Sequence, residues 1–176
     1  GRLSRSFMRG KARHNAYLDD YAFLAAGLLD LFEATGDARW LEESIALDQV
    51  LASHYEDEAG GFFMTSDDHE SLLVREKPSY DGAEPSGNSV ALLNLLRLHE
   101  LTTNDEYRQR AERALGAFGQ LVTKVPTAVS EMLLALDFLL DRPREIVIVT
   151  PGDEPFEEAR PMLSRMAKTF YLSKVV

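Results

Sequence analysis

Apolar and polar positions along the chain alternate between two kinds of segment, each at the spacing of an α-helix. Residues 21–29 carry no charged or strongly polar side chain, so the helix they predict should be buried on all sides. The next segment, 38–55, is apolar on one face only and predicts a helix with one solvated side. The same order returns with a largely apolar stretch at 89–96 and a one-sided stretch at 107–122. A fifth helix, over 127–140, carries only two charges and should again be buried.

Turn residues divide the first four helices into two hairpins with the same arrangement. Residues 35–37 close the first helix and cap the second, and residues 103–105 do the same for the third and fourth. Trp40 and Tyr107 follow at matching offsets, about 67 residues apart. Repeated hairpins of this kind predict a solenoid or a closed toroid, and burial on all sides favours the toroid. The fold class is therefore mainly α, with inner and outer helices in alternation.

The long connection between the second and third helices, residues 56–85, departs from the helical pattern. Within it the runs 62–65 and 72–75 predict a short β-hairpin. Long structured connections often carry function, so we expect part of a site in this excursion.

The C-terminal part of the chain predicts a small α/β unit. A strand over 144–149, a helix over 155–168 and the start of a strand over 170–176 form a β-α-β appendage. We therefore predict two units, a helical-hairpin portion over 1–142 and a truncated tail over 143–176. The chain also begins without an initiating methionine, which is typical of a fragment of a longer protein.

Composition narrows the classes of partner. The chain has 176 residues, 45% of them hydrophobic and 27% charged, which is typical of a globular domain. Its net charge of −10 opposes binding to nucleic acid, and no apolar run is long enough for a membrane span. Without cysteine the chain has no disulfide, thiolate nucleophile or Cys-ligated zinc. We expect no nucleic acid, no membrane contact and a cytoplasmic location.

Five short motifs occur in order along nearly the whole chain. They are GKA at 10–12, AYLDDYA at 16–22, TGDARWLE at 35–42, GGFF at 60–63 and YDGAEPSGNS at 80–89. In this order they resemble the spermatogenesis-associated, thioredoxin-domain family, called YyaL-like in bacteria.

The resemblance implies an architecture for the longer protein. In that family a thioredoxin-like domain precedes an (α/α)6 toroid similar to N-acylglucosamine 2-epimerases and six-hairpin glycosidases, and a small α/β tail follows. The chain would then be the C-terminal portion, a partial (α/α)6 toroid with the short β-hairpin excursion and the β-α-β appendage. Because a closed toroid needs more hairpins than this chain supplies, we expect exposed apolar flanks. We therefore expect the fragment to self-associate or to pack against the missing N-terminal half of the toroid.

Polar side chains cluster at the predicted N-termini of the inner helices, which open on one face of a toroid. Asp19 and Asp20 precede the first inner helix, Ser86 and Asn88 the second, and Glu131 lies at the start of the third. Unpaired N–H groups and positive dipole ends at such positions suit anionic groups and sugar hydroxyls. The two aspartates are either helix caps or catalytic carboxylates, and the other three are candidate substrate contacts.

The segment 81–89 holds more glycine and polar residues than helix capping needs. It is either a structural turn or a loop that approaches a ligand closely, with Asp81 and Asn88 as the preferred contacts. Sugar hydrolysis needs two carboxylates roughly 5 to 9.5 Å apart. The aspartates of the first helix, paired with Asp81 or Glu84, are the candidates.

Aromatic and histidine residues lie near the same predicted site, on the face where the inner helices begin. Tyr17 can stack on a sugar ring or pack against the protein. Epimerisation next to a carbonyl needs proton-transfer groups, often histidine, and His14 and His69 are the candidates. Either histidine could instead be an exposed loop residue without a role.

Two functions remain open from the sequence. The first is a carbohydrate-active domain that binds or transforms a saccharide, as a sugar epimerase or isomerase or as a glycoside hydrolase. The second is a non-catalytic interaction or regulatory module working with a thioredoxin-like domain. No residue spacing matches a metal-binding motif, so we expect no metal and no cofactor.

Overall fold

The helices of the protein begin and end close to the predicted positions. A computed structural model describes residues 1–69, 73–141, 143–151, 155–168 and 174–175. The helices in these ranges are α1 Leu18–Thr35, α2 Ala38–His54, α3 Gly87–Thr102, α4 Asp105–Lys124, α5 Ser130–Leu140 and α6 Pro155–Ala167, with a 3-10 turn at Pro126–Ala128. The strands are β1 Ser4–Met8, β2 Lys11–Asn15, β3 Arg144–Glu145 and β4 Lys174–Val175.

The five helices of the main body pack in two rows. α3 lies between α1 and α5, while α2 packs against α1 and α4 packs against α3. The predicted alternation of inner and outer helices is therefore present, and the mainly helical fold class is confirmed. Continuation of the rows into a closed toroid stays a prediction, as does the division of the chain after residue 142.

Capping residues set the helix ends at the predicted turns. The Asp37 carboxylate accepts a hydrogen bond from the Arg39 N–H, and the Asn104 side chain accepts one from the Glu106 N–H. Gly36 ends α1 in the left-handed conformation at φ 66°. Side-chain acceptors satisfy N–H groups that the first turn of a helix leaves unpaired.

The prediction that the first helix is buried on all sides is wrong. Phe23, Leu24 and Leu31 of α1 are 42%, 44% and 43% exposed. They lie on one face of α1, while the described contacts of this helix are with α2 and α3. On α5 Leu134 is also partly exposed, whereas α3, with neighbours on several sides, is buried along most of its length. An apolar stretch indicates a surface suited to burial, but the number of neighbours decides how much of it is covered.

A buried ion pair joins the two outer helices. Arg110 of α4 donates two hydrogen bonds to the Asp48 carboxylate of α2, at 2.6 and 3.1 Å. Its Nε also donates to Glu56, at 2.7 Å. Arg110 and Asp48 are each 5% exposed. The pair fixes the position of α4 relative to α2.

The β-hairpin predicted inside the excursion is not found among its described residues. Phe62 forms only an isolated bridge with Glu56, and residues 73–75 are not in a strand. Residues 70–72, which include the start of the second predicted strand, lie outside the described part. The run around Phe62 fails to pair as a strand because its backbone bonds are made elsewhere, with Asn88 and Tyr55.

A hairpin occurs instead near the N-terminus, where none was predicted. β1 and β2 pair antiparallel, and every residue of both strands is exposed. The hairpin is attached to the body by the Leu3 N–H, which donates to the Tyr21 hydroxyl at 2.9 Å, and by a bond from the Ala16 N–H to the Leu3 carbonyl. With neither face buried, its strands lack the alternation that marks a strand in a sequence.

The tail follows the predicted β-α-β order. β3 and β4 pair in parallel, with α6 between them in the chain. β3 is shorter than the predicted strand 144–149, and residues 170–173 and 176 of the last predicted strand lie outside the described part. Among the described helices, none is both long enough and apolar enough to cross a membrane.

Candidate functional site

The first turns of α1 and α3 touch each other. A Cβ atom at Gly87 would lie 2.3 Å from Oδ1 of Asp19 and 2.8 Å from Cγ of Leu18. Only glycine fits this position, because any side chain would push the two helices apart. The contact brings the N-termini of two inner helices together, as the sequence predicted.

Asp81 joins the N-termini of α3 and α5. Its Oδ1 accepts a hydrogen bond from the Ser86 N–H at 2.7 Å. Its Oδ2 accepts bonds from the Ser89 hydroxyl at 3.1 Å, the Glu131 N–H at 2.9 Å and the Met132 N–H at 3.3 Å. An ionised carboxylate has about four lone-pair sites, so these four hydrogen bonds occupy about all of its acceptor sites. Asp81 therefore acts as a cap shared by two helices.

The side-chain amide of Asn88 also makes its hydrogen bonds within the protein. Its Oδ1 accepts a hydrogen bond from the Phe62 N–H, and its Nδ2 donates to the carbonyls of Phe62 and Pro78, all at 2.7 to 2.9 Å. The residue is 1% exposed. Ser86 caps α3 by accepting a bond from the Ser89 N–H at 3.2 Å. The structure thus supports the structural-turn interpretation of this segment, with Asn88 holding the excursion against α3.

Asp19 differs, because one of its oxygens has no partner. Oδ1 is buried without a hydrogen bond in the described part of the chain. Burial raises the pKa of Asp19, the charges of Asp20 and Glu84 add to the rise, and the Gly87 N–H and Arg5 oppose it. A carboxyl in such a setting holds its proton to higher pH than usual, as a general acid does.

Glu131 is a second carboxyl with a raised pKa. Burial is the main cause and the negative charge of Asp81 adds to it. Glu131 and Asp19 come from α5 and α1, the helices on either side of α3. The structure thus places two acids with raised pKa on the two flanks of the α3 N-terminus.

The side chains of Tyr17 and His69 contact each other. Their ring centroids are 5.9 Å apart, and the Arg5 guanidinium lies 4.6 Å from the centre of the Tyr17 ring. Nδ1 of His69 is buried and has no hydrogen-bond partner in the described residues. It is the second unpartnered atom among the candidate site residues.

The remaining two candidate residues in this region are Asp20 and His14. Asp20 accepts a hydrogen bond from the Tyr17 N–H at 2.8 Å and one from Arg5 at 3.1 Å, which supports its interpretation as a helix cap. His14 lies on β2, is exposed, and has a left-handed backbone at φ 61°. Within the described part of the chain, no hydrogen bond or ion pair is made by its side chain.

Two arginines near the candidate site, Arg2 and Arg5, were not predicted from the sequence. Arg5 contacts Tyr17 and Asp20, and Arg2 forms an ion pair with Asp68 of the excursion. The hydrogen bond from Arg2 lowers the pKa of Asp68 to about 2. The available signal is the five basic residues, with no acidic one, that precede Asp19 in the sequence.

One group of side chains brings possible metal ligands together. His54, Asp67 and Asp68 each offer a ligand atom, and these atoms lie within 4.8 Å of one another. His54 Nδ1 and Asp67 Oδ1 are 2.9 Å apart in a hydrogen bond, and Arg2 is paired with Asp68. Each of the three side chains therefore already has a partner within the protein.

Comparison with known proteins gives relatives for most of the chain. It is 36% identical over 162 residues to spermatogenesis-associated protein 20 of Rattus norvegicus and 35% identical over 162 residues to that of Homo sapiens. An uncharacterised protein of Caenorhabditis elegans is 30% identical over 158 residues. These alignments cover 91%, 91% and 89% of the chain. No family model matches it.

The matches support the resemblance indicated by the ordered motifs. They also show that the chain is short beside its relatives, since it spans only 20% of the rat and human proteins and 22% of the nematode protein. The similarity therefore concerns one segment of much longer proteins.

Proposed function

We propose that this chain is a segment of a spermatogenesis-associated family protein whose inner-helix N-termini bind a saccharide. The observation that carries the proposal is that two buried atoms of the candidate residues, Asp19 Oδ1 and His69 Nδ1, have no hydrogen-bond partner among the described residues. A buried polar atom without a partner costs about 1–3 kcal/mol, so a ligand that satisfies such an atom gains that energy on binding.

The charges favour a neutral polyhydroxyl ligand over an anion. Asp19 and Glu131 would repel a phosphate or carboxylate when ionised, whereas sugar hydroxyls both donate to carboxylates and accept from an imidazole N–H. The half-buried Tyr17 ring offers an apolar face for a sugar ring. These features support a saccharide as the ligand class.

If the site is catalytic, the structure changes which residues we propose for the reaction. Asp81 is committed to capping two helices, so the acid pair we propose is Asp19 with Glu131, whose pKa values are both raised. A hydrolase would use one as general acid and the other as base or nucleophile. An epimerase would use His69 with Asp19 for proton transfer.

Calorimetric titration with glucose, N-acetylglucosamine and N-acetylmannosamine tests the proposal. We expect one of these sugars to bind the wild-type protein and to bind the Asp19→Asn variant at least about tenfold more weakly. The matched control is Asp137→Asn, at an exposed position of α5. Absence of binding to a folded wild-type protein, or equal binding by the Asp19 and Asp137 variants, would overturn it.

A second candidate function is that of an interaction module. The exposed apolar face of α1, with Phe23, Leu24 and Leu31, favours it. Contiguous apolar surface of this kind is typical of a place where another protein element packs. Under this proposal the occupant is a further helix of the longer protein, or a second copy when the chain is alone.

A further inference from the structure

The main body and the tail enclose a cavity at the end of the molecule opposite the candidate site. Its volume is about 360 Å³. The last turns of α1 and α3 line one side, and β4, α6 and the segment after β3 line the other. The main apolar contributors are Phe32, Leu101, Ile146, Ile148, Ala159 and Leu163.

Acidic groups are the only charged side chains among the described residues that line this cavity. They are Glu33, Glu100 and Glu145. Glu33 is paired with Arg97 at 2.8 Å, and Glu100 lies 3.9 Å from Nε2 of His99. Glu145 is exposed and makes no ion pair within the described ranges. Most of the uncompensated negative charge therefore comes from Glu100 and Glu145.

The helix dipoles add to this negative potential. α1 and α3 run in the same direction, since their first turns meet at Asp19 and Gly87 and their last turns line the cavity. A helix C-terminus carries roughly half a negative charge and unpaired carbonyl oxygens. Two such ends face this cavity, whereas the candidate saccharide site lies at the N-termini. The two ends of the same helices thus favour ligands of different charge.

We propose that this cavity binds a small organic cation with an apolar body, such as a protonated aromatic amine. The ammonium group would lie near Glu100, Glu145 and the carbonyls that end α1 and α3. The apolar body would pack against Phe32, Leu101 and the side chains from the tail. An apolar pocket with a few convergent polar groups is the usual form of a small-molecule site.

Tryptamine and indole-3-acetate form a matched pair of probes, because they share a ring and differ in charge. Calorimetric titration at low ionic strength should show tryptamine binding at least about tenfold more tightly than indole-3-acetate. Equal binding of both would show an apolar pocket without charge selection and would overturn the proposal. Failure of tryptamine to bind would overturn it as well.

Two variants locate the binding. Glu100→Gln combined with Glu145→Gln should weaken tryptamine binding about tenfold, while Glu58→Gln combined with Glu106→Gln, at exposed positions outside the cavity, should leave it unchanged. Leu163→Trp should fill the cavity and abolish binding, with the helical circular dichroism signal retained to show that the variant folds. Undiminished binding to a folded Leu163→Trp variant would place tryptamine elsewhere and overturn the assignment.

Discussion

At the scale of single residues, two aspartates near helix starts behave in opposite ways. Asp81 accepts four hydrogen bonds, whereas Asp19 has a buried oxygen that accepts none from the residues the structure describes. The sequence could identify both as polar residues at helix N-termini. It could not tell them apart, because the partners of Asp81 include Glu131, 50 residues further along the chain.

Replacing Asp19 by Asn should stabilise the protein at neutral pH. The raised pKa means that the folded state binds the proton of Asp19 more tightly than the unfolded state, so ionisation of Asp19 lowers the stability. The penalty is full above the folded-state pKa and vanishes as the pH falls below the ordinary value of 3.8. We expect the melting temperature of Asp19→Asn to exceed the wild-type value at pH 7 by about 2–4 °C.

Thermal unfolding of both proteins between pH 3 and pH 7 checks this expectation, and the difference should shrink towards acidic pH. Asp137→Asn, an exposed control, should show no such trend. A lower melting temperature for Asp19→Asn at pH 7 would contradict the assignment of Asp19 as a carboxyl whose pKa is raised by burial.

Replacing Asp81 by Ala should destabilise the fold strongly. The change removes the acceptor of the Glu131 and Met132 N–H groups at the start of α5 and of the Ser86 N–H just before α3, while Ser86 still caps α3. Loss of a capping acceptor costs about 0.5–2 kcal/mol at each helix start. Asp37→Ala is the matched control, because Asp37 caps only α2. Urea unfolding should give Asp81→Ala roughly twice the loss of the control. An equal loss in the two variants would show that the shared cap contributes nothing beyond a single one.

At the scale of elements, the helical periodicity of apolar residues predicted the positions of the five helices of the main body. The prediction was best for the helices that are buried on one face only. It placed Asp48 on the polar face of α2, yet this residue is buried against Arg110. Periodicity shows which face of a helix is polar, but it does not show that an ion pair allows part of this face to be buried. It also did not predict β1 and β2, because these exposed strands have no alternation of apolar and polar residues.

Breaking the buried ion pair between α2 and α4 should cost more than removing it entirely. Asp48→Ala leaves Arg110 buried with only Glu56 and should destabilise the protein by about 3–5 kcal/mol. Asp48→Leu combined with Arg110→Met replaces the charges by apolar side chains and should recover most of that loss. Urea unfolding of the two variants measures both values. If the double variant were less stable than Asp48→Ala, the charged pair itself would be a major source of stability.

At the scale of the whole molecule, the sequence indicated a mainly helical fold, and the structure confirms it. The division of the chain into a helical body and a separate tail stays a prediction. What the sequence could not indicate is which helix faces stay uncovered, because an apolar stretch does not show how many neighbours its helix has. Phe23, Leu24 and Leu31 are exposed on α1 among the described residues. Asp19, Tyr17 and His69 were singled out from the sequence and stay candidates, and Tyr17 and His69 are in contact. Arg5, which lies over the Tyr17 ring, was not singled out.

The isolated chain should associate through the exposed face of α1. Burying apolar surface is favourable by about 25 cal/mol per Å², so two such faces gain by packing together. Light scattering should show dimers or larger species for the wild-type chain, and Leu24→Glu combined with Leu31→Glu should shift them towards monomer. Glu58→Gln serves as a surface control. A wild-type chain that stays monomeric at all concentrations would contradict this expectation.

The shared cap at Asp81 also has a consequence for how the molecule opens. The backbone amides of Ser86, just before α3, and of Glu131 and Met132, in the first turn of α5, all donate to one carboxylate, although they lie far apart in the chain. Hydrogen exchange at such amides requires the bond to break, and here one displacement of Asp81 releases all three. Their exchange with deuterium should therefore occur as a single correlated event, which makes the starts of α3 and α5 one cooperative unit.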